Sequence, residues 1–176
     1  METWMITGVT GFLGPRVEAA LREKGEVEVL PMTREELNFT DEEQVKRVLG
    51  TLHPDVLVHA AAVSDTGACE RDPEGSWKVN VTGVEYLSKA CRENGTKLIF
   101  ASSDQVYTGS EVRTPHREDE ILTPANVYGR EKLEAERIVA NWCPEGVSLR
   151  LTWMYDLPGK TSGEAEFYHK YPGCYG

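Results

Sequence analysis

Tyr128-Gly129-Arg130-Glu131-Lys132 places a phenol and an ammonium four residues apart. On a helix that spacing stacks both side chains on one face. A lysine close to a tyrosine favours the phenolate, so the pair predicts a tyrosine pKa lowered from about 10 toward neutrality. Such a tyrosine can pass a proton to or from a carbonyl or alcohol oxygen. A tyrosine and lysine at this spacing also arise by chance. Ser103 gives the pair weight, because it follows the apolar run Lys97-Leu98-Ile99-Phe100-Ala101 and is expected at the C-terminal end of a strand. Ligands in doubly wound sheets bind beyond the carboxyl ends of strands, which would put the Ser103 hydroxyl in the same crevice.

A second group of residues suggests what that crevice holds. Thr7-Gly8-Val9-Thr10-Gly11-Phe12-Leu13-Gly14 follows a first strand and opens a first helix. Glycines at 8, 11 and 14 allow a tight turn, close approach of a pyrophosphate, and close packing of helix on strand. The helix N-terminus adds unpaired N–H groups and a partial positive charge. The alternative is a glycine turn that serves chain reversal alone. The second strand ends Leu30-Pro31-Met32-Thr33-Arg34 with no carboxylate at its tip, though Glu35 and Glu36 follow. An acidic residue there reads the ribose 2′-hydroxyl of NAD, and an arginine accommodates the 2′-phosphate of NADP. Thr33 and Arg34 could hold a phosphate by hydroxyl and guanidinium contacts, which favours NADP(H) over NAD(H). The competing reading of Arg34 is a solvated surface charge.

These residues need elements to position them, and the chain supplies a regular alternation. Strands are expected at Trp4–Thr7, Val27–Met32, Asp55–Ala60, Lys97–Ala101 and Val147–Leu151. Helices are expected from Phe12 to Lys24, closed by Gly25, and from Thr40-Asp41-Glu42-Glu43 to Gly50. Two more are expected from Asp72-Pro73 to about Asn94-Gly95, and from Pro124 to about Trp142. Strands almost without polar alternation, each followed by a helix, predict an α/β, doubly wound parallel sheet with helices on both faces. The 20-residue stretch Asp104 to Thr123 resists assignment, and connections of that length are more often functional than inert. The segment 156–176, with four glycines, two prolines and three tyrosines and no period, reads as an irregular tail to a domain spanning 1–155.

Composition sets bounds on partners. The chain has 176 residues, 40% hydrophobic and 27% charged, with a net charge of −10. That acidity argues against a nucleic-acid footprint, which needs a clustered basic surface. No apolar run approaches a membrane span. The N-terminus lacks the basic region of a signal peptide. Cys69, Cys91, Cys143 and Cys174 form no C-x-x-C pair and read as reduced thiols in a cytoplasmic protein. Cys69, Cys91 and His59 are read as packing residues, and no metal site is expected.

Seven segments together resemble the extended short-chain dehydrogenase/reductase family, in particular its dTDP-4-dehydrorhamnose reductase branch. They are Gly8 to Gly14, Leu37-Asn38-Phe39-Thr40-Asp41, Pro54 to Ala62, and Val79-Asn80-Val81-Thr82-Gly83-Val84. Further on come Phe100 to Tyr107, Asn126 to Leu133, and Leu149-Arg150-Leu151-Thr152-Trp153. The resemblance implies a Rossmann fold that binds NAD(P). It implies a catalytic Ser103/Tyr128/Lys132 set, in which Tyr128 supplies the proton, Lys132 binds the nicotinamide ribose, and Ser103 holds the substrate oxygen. Gly8, Gly11, Phe12, Leu13, Gly14, Thr33, Arg34, Asn38, Phe39, Ala60, Ala61, Ala62 and Asn80 would line the cofactor. Ser103, Asp104 and Trp153 would touch a sugar nucleotide, although Trp153 reads equally as a core aromatic at a strand end.

Two features depart from the family. Asn38 stands where an acidic residue is usual beside the adenine, and the family's substrate lobe is built largely from chain after the fifth strand. The implied activity is reduction of a nucleotide-linked 4-keto sugar with NADPH. Two other readings stay open: an NADP-binding regulatory module resembling the beta subunit of methionine adenosyltransferase, and sugar-nucleotide epimerase or dehydratase chemistry with tightly held NAD. With little chain beyond the fifth strand, an exposed apolar surface is expected there, able to recruit a second copy or another protein.

Overall fold

The computed structural model describes residues 1–111 and 114–154, so the segment 156–176 lies outside the described residues. Five strands, β1 (Glu2–Thr7), β2 (Val27–Met32), β3 (Val56–His59), β4 (Lys97–Ser103) and β5 (Val147–Leu151), form one parallel sheet in the order β2-β1-β3-β4-β5. Successive residues along each strand feed two different cores. Met5, Leu57, Leu98 and Phe100 face the larger one, closed by α2 (Glu42–Leu52), α5 (Gly83–Asn94) and α6 (Val127–Trp142). Ile6, Val29, Val56 and Val58 face the smaller one, where α1 (Leu13–Lys24) contributes Val17 and Leu21. Helices on both faces of a parallel sheet are the expected doubly wound architecture.

The sheet edges follow from residue chemistry. Pro31 lies in β2, an edge strand, where a residue without an N–H costs no ladder bond on its outer side. β5 is the opposite edge. Its Val147 and Leu149 pair with Ile99 and Ala101, which places them on the sheet face opposite Phe100. Both are exposed, as are Trp153 and Met154 just beyond. Exposed apolar side chains thus gather at the β5 edge and in the residues just after it.

Several element boundaries differ from the sequence reading. α2 runs through Gly50 to Leu52 and stops where His53 adopts φ 43°, because Leu49 is a fully buried anchor and keeps the last turn wound. The long helix expected from Asp72 is divided into α4 (Pro73–Trp77), a π-helical turn (Lys78–Thr82) and α5. It is preceded by α3 (Thr66–Arg71), capped by Asp65, which the sequence reading omitted. The helix expected from Pro124 begins at Val127, because the Asn126 side chain accepts the Gly129 N–H and fixes the N-cap there. Part of the unassigned Asp104 to Thr123 stretch is a 3₁₀ turn, Asp104–Tyr107, capped by Ser103.

Candidate active site

The chain leaves β1 toward β2 on one side and returns to β3 on the other, so the order reverses between β1 and β3. That is where doubly wound sheets bind ligands. The glycine turn fills this point. Gly8 has φ +78°, and a Cβ there would lie 2.6 Å from the Ala60 carbonyl carbon and 2.7 Å from the Ala61 nitrogen. A Cβ on Gly14 would meet Gly8 O and the Val9 Cα. Both glycines are thus required by the packing of β1, α1 and the segment after β3. Gly11 is different: its φ is not positive, and its nearest obstacle is Gly8 O at 3.3 Å. The space above Gly11 is open, and the first residues of α1 have no side-chain cap. An uncapped helix N-terminus beside an open glycine suits a pyrophosphate.

Around this point lie other expected cofactor residues. Phe12 precedes α1, with the Arg16 guanidinium 3.7 Å from its ring centroid, and Leu13 is the first helical residue. Ala60, Ala61 and Ala62 follow β3, and the backbone of Ala60 and Ala61 passes against Gly8. Phe39 packs edge-on against His59 at 4.8 Å and closes over Gly83. Asn38 accepts the Thr40 hydroxyl at 2.9 Å and donates its backbone N–H to Gln44, so it shapes the turn into α2.

The tip of β2 does not match its sequence reading. Thr33 donates both its N–H and its hydroxyl to the Glu36 carboxylate, each at 2.8 Å, so its hydroxyl already has an acceptor. A carboxylate therefore stands at the strand tip after all. Glu36, which follows the strand in sequence, is folded back to its tip by a four-residue turn closed by Leu37 N–H to Thr33 O. These bonds hold the Glu36 pKa below the usual carboxylate value. Arg34 is exposed beside it and makes no hydrogen bond or ion pair among the described residues.

Ser103, Tyr128 and Lys132 are brought together at the end of β4. Ser103 is its last residue, and α6 packs across β4 with Tyr128 and Lys132 on its first two turns. All three are buried, Tyr128 at 7% exposure and Lys132 at 3%. Lys132 Nζ donates to the Ala101 carbonyl at 2.8 Å, and lies 4.6 Å from the Phe100 ring centroid and 5.6 Å from that of Tyr128. Ser103 Oγ accepts the Gln105 N–H, and its hydroxyl lies 3.3 Å from Asp104 Oδ1.

The expected lowering of the tyrosine pKa is reversed. Burial pushes Tyr128 up to about 12, only partly offset by a hydrogen bond with Ser103. Lys132 is itself pulled down to about 8 by burial. In a water-poor site desolvation penalises both charged forms, and it outweighs the attraction between them. At about 12, Tyr128 stays a protonated phenol at neutral pH.

Asn80, expected beside the cofactor, has a structural task. Its amide oxygen accepts the Val63 N–H at 2.9 Å, and its amide nitrogen donates to Val63 O at 3.0 Å, which pins the Ala60–Val63 segment. The π-helical turn aims it there. Sequence reasoning missed two carboxylates. Glu131 is buried against Ser76 and Asn80. Glu136 accepts the Ser102 hydroxyl and forms an ion pair with Arg150, which also donates to Tyr107 Oη at 2.6 Å. The only signal for either is a glutamate on the Tyr128/Lys132 helix. Trp153 is 57% exposed, so it is no core aromatic, and Asp104 is half-buried beside Ser103. His59 lies in the core, sharing a 2.7 Å hydrogen bond with Thr7. Cys69, Cys91 and Cys143 are buried free thiols, and Cys174 lies outside the described residues. Among the described residues no cluster could hold a metal ion, and no helix is long and apolar enough to cross a membrane.

A dTDP-4-dehydrorhamnose reductase of Aggregatibacter actinomycetemcomitans is 31% identical over 155 residues, 88% of this chain and 52% of the relative. The structure of the Yersinia enterocolitica dTDP-4-dehydrorhamnose reductase aligns with a TM-score of 0.85 at 32% identity, covering 99% of this chain and 61% of that one. The Clostridium acetobutylicum dTDP-4-dehydrorhamnose reductase aligns at 0.86 and 28%, covering 95% and 59%. The chain spans about half the length of the curated relatives it matches. Residues 2–165 match the family model described as the RmlD substrate binding domain, and the chain belongs to that family.

Proposed function

We propose that this chain is the cofactor-binding and proton-donating part of an NAD(P)-dependent reductase acting on a nucleotide-linked 4-keto sugar. The observation that carries this reading is the convergence of Ser103, a protonated Tyr128 and Lys132 at the end of β4, in the same sheet as the β1/β3 switch point. The residues around that point fit a dinucleotide. Gly8, Gly11, Phe12, Leu13 and Gly14 would take the pyrophosphate, Asn38 and Phe39 the adenine side, and Ala60, Ala61, Ala62 and Asn80 the floor. Arg34, with Thr33, would meet a ribose phosphate. NADP(H) is preferred through the unpaired Arg34, and the Glu36 carboxylate opposes that preference.

A bound dihydronicotinamide supplies the hydride equivalent. The chain's own residues do the rest. Ser103 donates a hydrogen bond to the substrate carbonyl oxygen. Tyr128 transfers its proton to that oxygen as negative charge develops on it. A phenol buried at 7% exposure holds its proton until such an acceptor arrives. The Lys132 ammonium, 5.6 Å from the Tyr128 ring centroid, then stabilises the phenolate left behind. Asp104 and Trp153 would contact the sugar nucleotide.

A second reading, a non-catalytic NADP-binding module, is favoured by the exposed apolar run Val147, Leu149, Trp153 and Met154, which suits a protein partner. One experiment separates the two: cofactor binding by calorimetry alongside turnover of a dTDP-4-keto-6-deoxy sugar, for wild type and Tyr128→Phe. Turnover that falls about 10²–10⁴-fold in Tyr128→Phe, with cofactor affinity kept, supports the reductase. Cofactor binding without wild-type turnover supports the module, and an unimpaired Tyr128→Phe variant overturns the proton-donor assignment.

A further inference from the structure

Glu131 lies between Tyr128 and Lys132 in sequence, is 1% exposed, and is none of the three residues assigned to the chemistry. Its Oε1 accepts the Ser76 hydroxyl at 2.5 Å and its Oε2 accepts the Asn80 amide at 2.7 Å. Asn80 in turn holds both backbone polar groups of Val63. The carboxylate is thus the joint between the helix that carries the proton donor and the segment expected to floor the cofactor. Burying a carboxylate costs far more than burying a hydroxyl or amide that could make the same bonds.

Lys132 follows Glu131 on α6. It is buried, and its surroundings include Glu131, Tyr128 and Glu136 on its own helix, Cys69 from α3, His59 from β3, and the Phe100 ring and Ala101 carbonyl of β4. Of the groups that oppose the effect of burial on this lysine, Glu131 acts most strongly, ahead of Cys69 and Glu136.

Resting on the reductase reading above, we propose that Glu131 is a positioning residue: through Ser76 and Asn80 it locks α6 to the Ala60–Val63 segment, and its negative charge keeps the Lys132 ammonium beside Tyr128.

The test needs neither cofactor nor substrate. In protein carrying ¹³C-labelled lysine, the Lys132 Cε resonance is identified by its loss in Lys132→Met and titrated from pH 6 to 11. The wild-type midpoint is expected near 8. Glu131→Gln, which keeps the shape and removes the charge, should lower it by about one unit. Glu131→Asp, which keeps the charge, should hold it within about half a unit. An unmoved midpoint in Glu131→Gln, or equal shifts in both variants, overturns the proposal. Should either variant fail to fold, the Glu131 carboxyl of the wild type is titrated instead. Ionisation at pH 7 supports the proposal, and a protonated carboxyl overturns it. A shifted Lys132 midpoint in a chain without turnover leaves this inference standing while the reductase reading falls.

Discussion

Substituting alanine separately at Gly8 and Gly11 should produce opposite losses, because the two glycines are needed for different reasons. At position 8 an L side chain must adopt φ near +78°, which costs about 1–2 kcal/mol. Its Cβ would also stand 2.6–2.8 Å from three backbone atoms of Ala60 and Ala61, so the segment after β3 must move. That segment is tied to β1 by the Ala60 N–H on Thr7 O and to the π-helical turn by Asn80 on Val63. Overpacking of this kind costs about 1–3 kcal/mol. The sum, about 2–5 kcal/mol, corresponds to a fall in Tm on the order of 10 °C for a chain of this size. At position 11 φ is not positive and the nearest atom is Gly8 O at 3.3 Å, a tight contact relieved by a small shift, so Gly11→Ala should cost no more than about 1 kcal/mol, less than Gly8→Ala. Its methyl group would instead occupy the open space over the helix N-terminus. Urea unfolding at constant m-value gives the stabilities, and calorimetric titration with NADPH and NADH gives the affinities. The expected result is a destabilised Gly8→Ala, and a stable Gly11→Ala whose cofactor affinity falls at least tenfold. Equal stabilities for the two variants, or wild-type cofactor affinity in Gly11→Ala, would refute the assignment of structural and ligand-facing glycines.

Two further outcomes follow from the same geometry. Arg34→Ala should lower the ratio of NADPH to NADH affinity, and Glu36→Gln should raise it by removing the opposing charge; competition titrations that leave either ratio unchanged would dismiss the β2 tip as the ribose reader. His59, buried with its pKa pulled down from 6.5 to about 3, binds its proton more readily when unfolded. Its contribution is therefore fully present above pH 6.5 and is lost as pH falls toward 3. Within that window stability should decline with a slope of up to about 1.4 kcal/mol per pH unit from this group, and His59→Gln should flatten the curve relative to wild type.

Much of the fold was legible along the chain because its signals are local. Apolar runs of four to seven residues, each followed by a 3.6-residue period, predict a parallel sheet covered on both faces. The strands Val27–Met32 and Val147–Leu151 fall where they were expected. Gly8 and Gly14 are required by a turn that the sequence already spells out. Ser103 at a strand end, and Tyr128 and Lys132 on one helical face, are singled out by spacing alone, and the fold brings the three together. Boundaries were less legible. Gly50 signals a helix end, but the burial of Leu49 carries α2 two residues further. The division of the Asp72–Asn94 helix by a π-helical turn has no composition cue, because it serves Asn80's reach to Val63.

The charge states and pairings of the site belong to the tertiary structure. A tyrosine beside a lysine predicts a lowered pKa only if water still solvates both, and packing α6 against β4 removes that water and drives Tyr128 upward. Glu36 as a carboxylate at the β2 tip depends on a turn closed by hydrogen bonds, and Glu131 as a joint depends on Ser76 and Asn80, 55 and 51 residues away. The exposure of Val147, Leu149 and Trp153 is likewise decided by the packing around β5 and not by residue type. Residue type and spacing decide which groups can do chemistry, since covalent geometry and helical period are local. Desolvation and partner choice depend on segments distant in sequence, and only the folded arrangement of the sheet and helices decided them.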